Sequence, residues 1–131
     1  CEHDRIGVIP YNPLAGGLLT GQHERSTPRA GSRFALESEQ GERYRERYWR
    51  DEFHDTVEQI KPIAENEGIS MAQLAVAWVL SKPFVTSPIV GATNPKQLDD
   101  AIAATAKPLS EEAVTQLNEL THKYRAGDDE R

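Results

Sequence analysis

The sequence lacks three features that would place it in particular classes of protein. Its single cysteine, Cys1, cannot form an internal disulfide, which favours a reducing compartment and the cytoplasm as the default location. No stretch approaches the roughly 18 to 20 consecutive apolar residues of a membrane span, and residues 1–10 lack a signal-peptide layout. Positive charge is also scarce, because 15 Lys and Arg face 21 Asp and Glu, a net charge of −6. We therefore expect no membrane partner and no nucleic-acid partner, since nucleic-acid binding depends on cations that neutralise phosphates.

A plausible translation start is also missing. The only methionine is Met71 and the chain opens with Cys1, so we expect either that a leading segment was removed or that the chain is a piece. The 131 residues, of which 37% are hydrophobic, suffice for one domain over 1–131 or for part of a larger one. Residues 125–131 predict a frayed polar tail.

Short apolar runs alternate with helical patterns along the chain. The β-branched and aromatic run at 6–11 predicts a buried strand, and residues 85–90 predict a second one, weakened by the missing backbone donor of Pro88. Between them, residues 22–50 are polar and irregular, which is typical of a functional or disordered loop.

The remaining segments predict four helices. The first runs over 51–67, where Pro62 is expected to kink or break it and Gly68 to end it. Ser70 and Gln73 predict a capped, buried helix over 71–82. The third helix is predicted to have Asn94 as its N-cap and Pro95 as its first residue, and to continue to about Thr105. The last is predicted to be capped by Ser110, with Val114, Leu117 and Leu120 facing inward.

Alternating strands and helices predict parallel βα units. Two parallel strands cannot bury both faces of a sheet, and a barrel of eight such units needs about 250 residues. The predicted fold class is therefore α/β, with this chain as part of a barrel.

The first candidate site is the segment from Pro10 to Gly21, at the C-terminal end of the first predicted strand. Active sites of βα barrels form at that end. Tyr11 offers a flat ring on which a nicotinamide could stack, and the glycines leave room for a pyrophosphate. The same residues also fit a tight turn with a packing role only.

The second candidate site runs from Gly91 to Asp100, where a strand leads into a helix. Free amides and the helix dipole at such a point suit a phosphate, and Thr93, Lys96 and Gln97 could add donors. Alternatively, Asn94 and Pro95 merely begin a surface helix.

Four segments in chain order together resemble the aldo-keto reductase family, in the branch with voltage-gated potassium-channel β subunits and many bacterial reductases. They are YNPLAGGLLTG at 11–21, GSRF at 31–34, AQLAVAWVL at 72–80, and PIVGAT at 88–93 with Gln97 and Leu98. The resemblance implies an NADP(H)-binding (β/α)8 TIM barrel. This chain would be its C-terminal part: strands seven and eight, their helices and a C-terminal helix.

The resemblance also implies roles for individual residues. Tyr11 would stack against the nicotinamide, and Arg33 would close over the cofactor phosphates, a task suited to a guanidinium. The other implied cofactor contacts are Asn12, Pro13, Leu14 and Ala15 at the pyrophosphate, Gly91 in the second segment, Thr93 and Gln97 at the 2′-phosphate, and Asp100 at the adenine amine.

The chain departs from the family pattern at several positions. Asn12 replaces a usual serine, Gln22 a common lysine and Ala101 a common asparagine, and the loss of a cation at Gln22 bears on the preference for NADP. The family's catalytic tetrad of aspartate, tyrosine, lysine and histidine has no counterpart here, and no metal-ligand spacing is present. The histidines His3, His23, His54 and His122 match no catalytic position.

These features predict the cofactor-binding part of a reductase. The parent protein would reduce an aldehyde or ketone with NADPH, and this chain alone would be inactive. It would need the missing N-terminal half of the barrel, or self-association, to cover its strands. The alternative is a non-catalytic half-barrel module that binds a nucleotide or a partner.

Overall fold

The computed structural model describes residues 3–4 and 6–124, so the predicted tail at 125–131 lies outside the described residues. In this part of the chain the α-helices are α1 (Glu39–Tyr48), α2 (Asp51–Glu67), α3 (Met71–Leu80), α4 (Lys96–Ala106) and α5 (Glu111–Thr121). Short 3-10 turns span Ala15–Thr20, Arg33–Ala35 and His122–Tyr124. Within these residues, no helix combines the length and the apolar character needed to cross a membrane.

The two predicted strands pair in parallel, but only through isolated bridges. Val8 pairs with Val85, and Tyr11 pairs with Ile89. The prediction of continuous strands over 6–11 and 85–90 is therefore wrong for the described residues. The predicted burial is wrong as well, since 60% of Ile9 is exposed. No other segment of the described part is paired by a bridge to either of these two.

Proline 88 explains why the pairing is interrupted. The Thr86 amide donates to the Val8 carbonyl at 2.9 Å, and a regular parallel ladder would next place the amide of residue 88 on the carbonyl of Pro10. Pro88 has no N–H, and the Ile89 amide donates to the Pro10 carbonyl instead, at 2.7 Å. The register consequently slips by one residue between the two bridges.

Helix α1 lies within the segment 22–50, so the prediction that this segment is irregular is wrong for Glu39–Tyr48. The Ser38 hydroxyl accepts a hydrogen bond from the Gly41 amide at 3.3 Å, which caps the helix. Glutamates 39 and 42 lie near its N-terminus and arginines 45 and 47 near its C-terminus, which suits the helix dipole. Arg45 ties α1 to the preceding turn by donating to the carbonyl of Phe34 at 2.7 Å.

Helix α2 continues through Pro62, so the expected break there is wrong. An interior proline costs a helix about 3 kcal/mol. The buried side chains of Val57, Ile60 and Ile63 offset that cost, because each fully buried aliphatic side chain contributes about 1.5 to 3 kcal/mol. Gly68 ends the helix with φ +64°, as predicted.

The boundaries of the other helices agree with the prediction in part. The Ser70 hydroxyl caps α3 by accepting from the Gln73 amide at 3.0 Å, and Ser110 caps α5 in the same way. Helix α3 ends at Leu80 rather than at residue 82. Helix α4 begins at Lys96, with Pro95 as the N-cap residue and no side-chain cap, so the prediction that Asn94 caps it is wrong.

The core lies where α2, α3 and α5 meet. Its central buried residues are Ile60, Ile63, Ala64, Leu74, Ala113 and Leu117. A second cluster of Leu18, Phe34 and Val57 supports the glycine-rich turn after Tyr11, and a third, of Val76, Ala77 and Ala104, joins α3 to α4. These clusters hold both candidate segments against the same helical layer.

Candidate functional site

The glycine-rich turn after Tyr11 has an unusual backbone. Asn12 and Ala15 have φ of 59° and 49°, and Gly16 and Gly17 follow with 74° and 110°. The Asn12 side chain stabilises this conformation, because its Oδ1 accepts from the Gly16 amide at 2.9 Å. Asparagine tolerates the left-handed region better than most residues. The turn is therefore held in one shape by its own residues.

Gly16 is also required by its surroundings. A Cβ at this position would lie 2.7 Å from Cδ1 of Tyr44, on helix α1. The Tyr44 ring thus packs directly on the backbone of the turn, and a side chain at residue 16 would displace it. The close contact joins α1 to the first candidate segment.

Arg33 lies between the two candidate segments. Its Nη1 donates to the Tyr44 hydroxyl at 3.0 Å, and its guanidinium carbon lies 5.2 Å from the centre of the Tyr44 ring. Gly91 is also close to this side chain, because a Cβ at Gly91 would lie 3.5 Å from Nη2 of Arg33. The buried neighbour Phe34 anchors this turn in the core. The structure therefore brings the arginine of the first loop to the start of the second candidate segment.

The second segment has a compact local geometry. The amide and hydroxyl of Thr93 both donate to Oε1 of Gln97, at 2.7 and 3.1 Å. Gln97 thus folds back over the start of α4, where no side chain caps the helix. An uncapped helix N-terminus presents backbone N–H groups and positive dipole potential, both of which suit an anion.

Asp100 and Tyr11 lie at the margins of this region. The Asp100 carboxylate accepts from the Ser70 hydroxyl at 2.7 Å, which links α4 to the start of α3. The Tyr11 side chain is 71% exposed. The pKa of Arg47 on α1 is raised, because the hydroxyl of Tyr48 and, to a smaller extent, that of Tyr11 stabilise its charged form.

The predicted site residues fall into two groups. Tyr11, Asn12 and Arg33 lie around α1, with Gly91 beside Arg33. Thr93, Gln97 and Asp100 lie around the start of α4. Three residues of the turn face the protein instead: Pro13 and Ala15 line an apolar cavity of about 330 Å³, and Leu14 packs against the third core cluster.

Two residues of α1 contact the turn but were not predicted as site residues. These are Tyr44 and Tyr48. The sequence does contain a signal for this helix, because Ser38 precedes a stretch that begins with acidic residues and ends with basic ones. Within that stretch, Tyr44 and Tyr48 have the i, i+4 spacing that places them on one helical face.

Two histidines lie behind the turn, and burial is the main cause that lowers the pKa of each. The His23 ring is 5.1 Å from Phe34 and 5.4 Å from Trp49, and Trp49 is 4.6 Å from His54. The Nε2 atom of His54 is buried and has no hydrogen-bond partner. This cluster packs against Phe34 and so supports the Arg33 turn.

Comparison with known proteins identifies the family. The model of the aldo/keto reductase family matches residues 1–122. The chain belongs to this family. Residues 1–122 include both candidate segments and all of α1, so the whole described region falls within the family match apart from its last two residues.

Three of the relatives that the chain matches illustrate what it is similar to. A probable voltage-gated potassium channel subunit beta of Arabidopsis thaliana is 39% identical over 99 residues, 76% of this chain and 30% of the relative. An uncharacterized oxidoreductase of Bacillus subtilis is 34% identical over 115 residues, 88% of this chain and 32% of the relative. An aldo-keto reductase of Monascus ruber is 33% identical over 124 residues, 87% of this chain and 36% of the relative. This aldo/keto reductase chain therefore spans about a third of the length of the curated relatives it matches.

Proposed function

We propose that the protein containing this chain is a cytoplasmic NADP(H)-dependent oxidoreductase that reduces an aldehyde or ketone to an alcohol. The chain would supply the cofactor-binding C-terminal part of a (β/α)8 barrel. The observation that carries the proposal is the approach of Arg33 to Gly91, which joins a guanidinium, a glycine turn and a helix start in one region.

The residues fit a dinucleotide in several respects. A Cβ at Gly91 would lie 3.5 Å from Arg33 Nη2. Because glycine has no Cβ, this space is free, and a phosphate there could contact both the backbone and the guanidinium. The uncapped start of α4, with Thr93 and Gln97, would hold the 2′-phosphate. Exposed Tyr11 would offer its ring to the nicotinamide, and residues 12–15 would line the pyrophosphate.

When bound, the nicotinamide supplies the hydride that reduces the carbonyl carbon. The residues of this chain bind and orient the cofactor rather than transfer protons. General acid catalysis contributes typically about 10²- to 10⁴-fold, and it requires a positioned donor. Because no residue here matches the family tetrad, we expect the chain alone to be inactive.

The exposed apolar residues of the paired segments support a need for further protein. Ile6, Ile9 and Ile89 are 59%, 60% and 57% exposed. Burying them would contribute roughly 1.5 to 3 kcal/mol per side chain. We propose that the rest of the barrel covers this face. A second copy of the chain, as in a non-catalytic module, is the alternative.

The proposal is tested by titrating NADPH and NADH into the full-length protein while following cofactor fluorescence. We expect saturable binding that Arg33→Ala weakens by about tenfold, because hydrogen bonds to charged groups each contribute about 1.5 to 3 kcal/mol. Arg29→Ala, a change in an exposed arginine of the same loop, is the matched control. Absence of saturable binding to the wild-type protein would contradict the function, and so would wild-type affinity in Arg33→Ala.

A further inference from the structure

Helix α1 presents two tyrosines to the candidate cofactor site. Tyr44 and Tyr48 are one helical turn apart, so they share a face, and their rings lie 6.1 Å from each other. Arg45 fixes the helix by donating to the carbonyls of Phe34, at 2.7 Å, and Leu36, at 3.0 Å. The tyrosines are therefore held in place by a helix that is itself bound to the Arg33 turn.

Tyr44 makes two contacts at once. Its ring covers the backbone of Gly16, and its hydroxyl accepts from Arg33 Nη1 at 3.0 Å. A free arginine side chain samples many rotamers, and fixing it on binding costs free energy. Tyr44 restricts Arg33 before any ligand arrives, with the other guanidinium nitrogen directed toward Gly91.

Tyr48 makes the corresponding contact with the turn. Its hydroxyl accepts from Nδ2 of Asn12 at 2.9 Å, while Oδ1 of the same amide accepts from the Gly16 amide. The Asn12 side chain is thereby held at both ends, and with it the left-handed backbone after Tyr11.

We propose that Tyr44 and Tyr48 are positioning residues for the dinucleotide: Tyr44 aims Arg33 at the pyrophosphate, and Tyr48 fixes the turn through Asn12. This inference rests on the proposed function and adds the residues that preorganise its site. It makes α1 part of the binding machinery, although neither tyrosine need touch the cofactor.

The experiment is a double-mutant cycle on the full-length protein, with Kd for NADPH and for NADH as the readout. Tyr44→Phe keeps the ring over Gly16 and removes only the hydroxyl. We expect it to weaken both cofactors by about fivefold, a typical net effect of one lost hydrogen bond and a smaller loss than that expected for Arg33→Ala. The two cofactors should respond equally because they share the pyrophosphate. In an Arg33→Ala background, Tyr44→Phe should have no further effect.

Tyr48→Phe provides a second, independent variant, and its effect should disappear in an Asn12→Ala background. Tyr124→Phe is the matched control, because its hydroxyl contacts Thr56 and the Glu52 carbonyl on α2 rather than the turn. Melting temperatures show whether each variant folds.

The outcomes separate the inference from the function. Cofactor binding by the wild type together with wild-type Kd values in both Tyr→Phe variants would overturn the inference and leave the function standing. A loss at Tyr44→Phe that persists in full without Arg33 would also overturn it, since that loss would reflect packing alone. Failure of the wild type to bind either cofactor would overturn the function and the inference together.

Discussion

Nδ2 of Asn12 donates to the hydroxyl of Tyr48 at 2.9 Å, across 36 residues of sequence. The contact ties the turn after Tyr11 to a helix that lies in the long polar segment following it. The same Asn12 side chain accepts from the Gly16 amide at 2.9 Å, and the Asn12 backbone has φ 59°. One side chain therefore holds both the left-handed turn and its contact with α1.

Replacing Asn12 tests this pairing through stability. Asn12→Ala should lower the free energy of unfolding by about 1 to 2 kcal/mol, because two partners lose their hydrogen bonds. Asn12→Asp should remain close to the wild type, since a carboxylate accepts from both the Gly16 amide and the Tyr48 hydroxyl. Chemical denaturation of both variants gives the comparison, and equal stability of the two would contradict the assigned role.

Gly16 offers a test of the packing between the turn and Tyr44. Gly16→Ala should be strained by its φ of 74°, at about 1 to 2 kcal/mol, and by the 2.7 Å contact with the Tyr44 ring, at about 1 to 3 kcal/mol more. Gly31→Ala is the matched control, because Gly31 has φ +76° and its Cβ would meet nothing within 4 Å. Thermal unfolding should place Gly16→Ala well below Gly31→Ala. Equal melting temperatures would show that the contact between a Cβ at residue 16 and the Tyr44 ring does not affect stability.

The start of α4 should discriminate between the two nicotinamide cofactors. Gln97→Ala removes the acceptor that holds Thr93, and we expect it to weaken NADPH by about tenfold and NADH little, because only NADPH carries the 2′-phosphate. Gln116→Ala, an amide truncation on α5, is the control. The Kd is measured separately for NADPH and for NADH. An equal loss of affinity for both cofactors would contradict the placement of the 2′-phosphate at the start of α4.

Histidine 54 predicts a dependence of stability on pH. Burial and, next, the charge of Arg25 lower its pKa in the folded protein below the ordinary 6.5. The unfolded chain therefore binds more protons than the folded chain as pH falls through about 6.5, and the free energy of unfolding declines toward the lower folded pKa. Above about pH 7 the group is neutral in both states and contributes no pH dependence.

The measurement for this prediction is denaturation at a series of pH values from 8 to 5. His54→Gln should flatten the acid side of the curve relative to the wild type. His122→Gln, at an exposed position after α5, serves as the control. An unchanged slope in His54→Gln would show that other groups carry the acid sensitivity.

Some features follow from the sequence because their causes are local. Ser70 and Ser110 cap their helices as predicted, and Gly68 ends α2, since each of these effects involves backbone groups within about four residues. The family resemblance is equally readable, because it rests on residue order within short segments, and the family match over residues 1–122 confirms it. The roles of the individual site residues stay predictions.

Tertiary structure decided what depends on distant neighbours. Pro62 can remain inside α2 because burial of the surrounding apolar side chains outweighs one lost hydrogen bond. The contact of Asn12 with Tyr48 and the approach of Arg33 to Gly91 exist only once α1 is folded against the turn. Residue identity by itself determined the helix caps and the family motifs. The path of the chain determined which side chains position the site, because those contacts join segments that no local pattern relates.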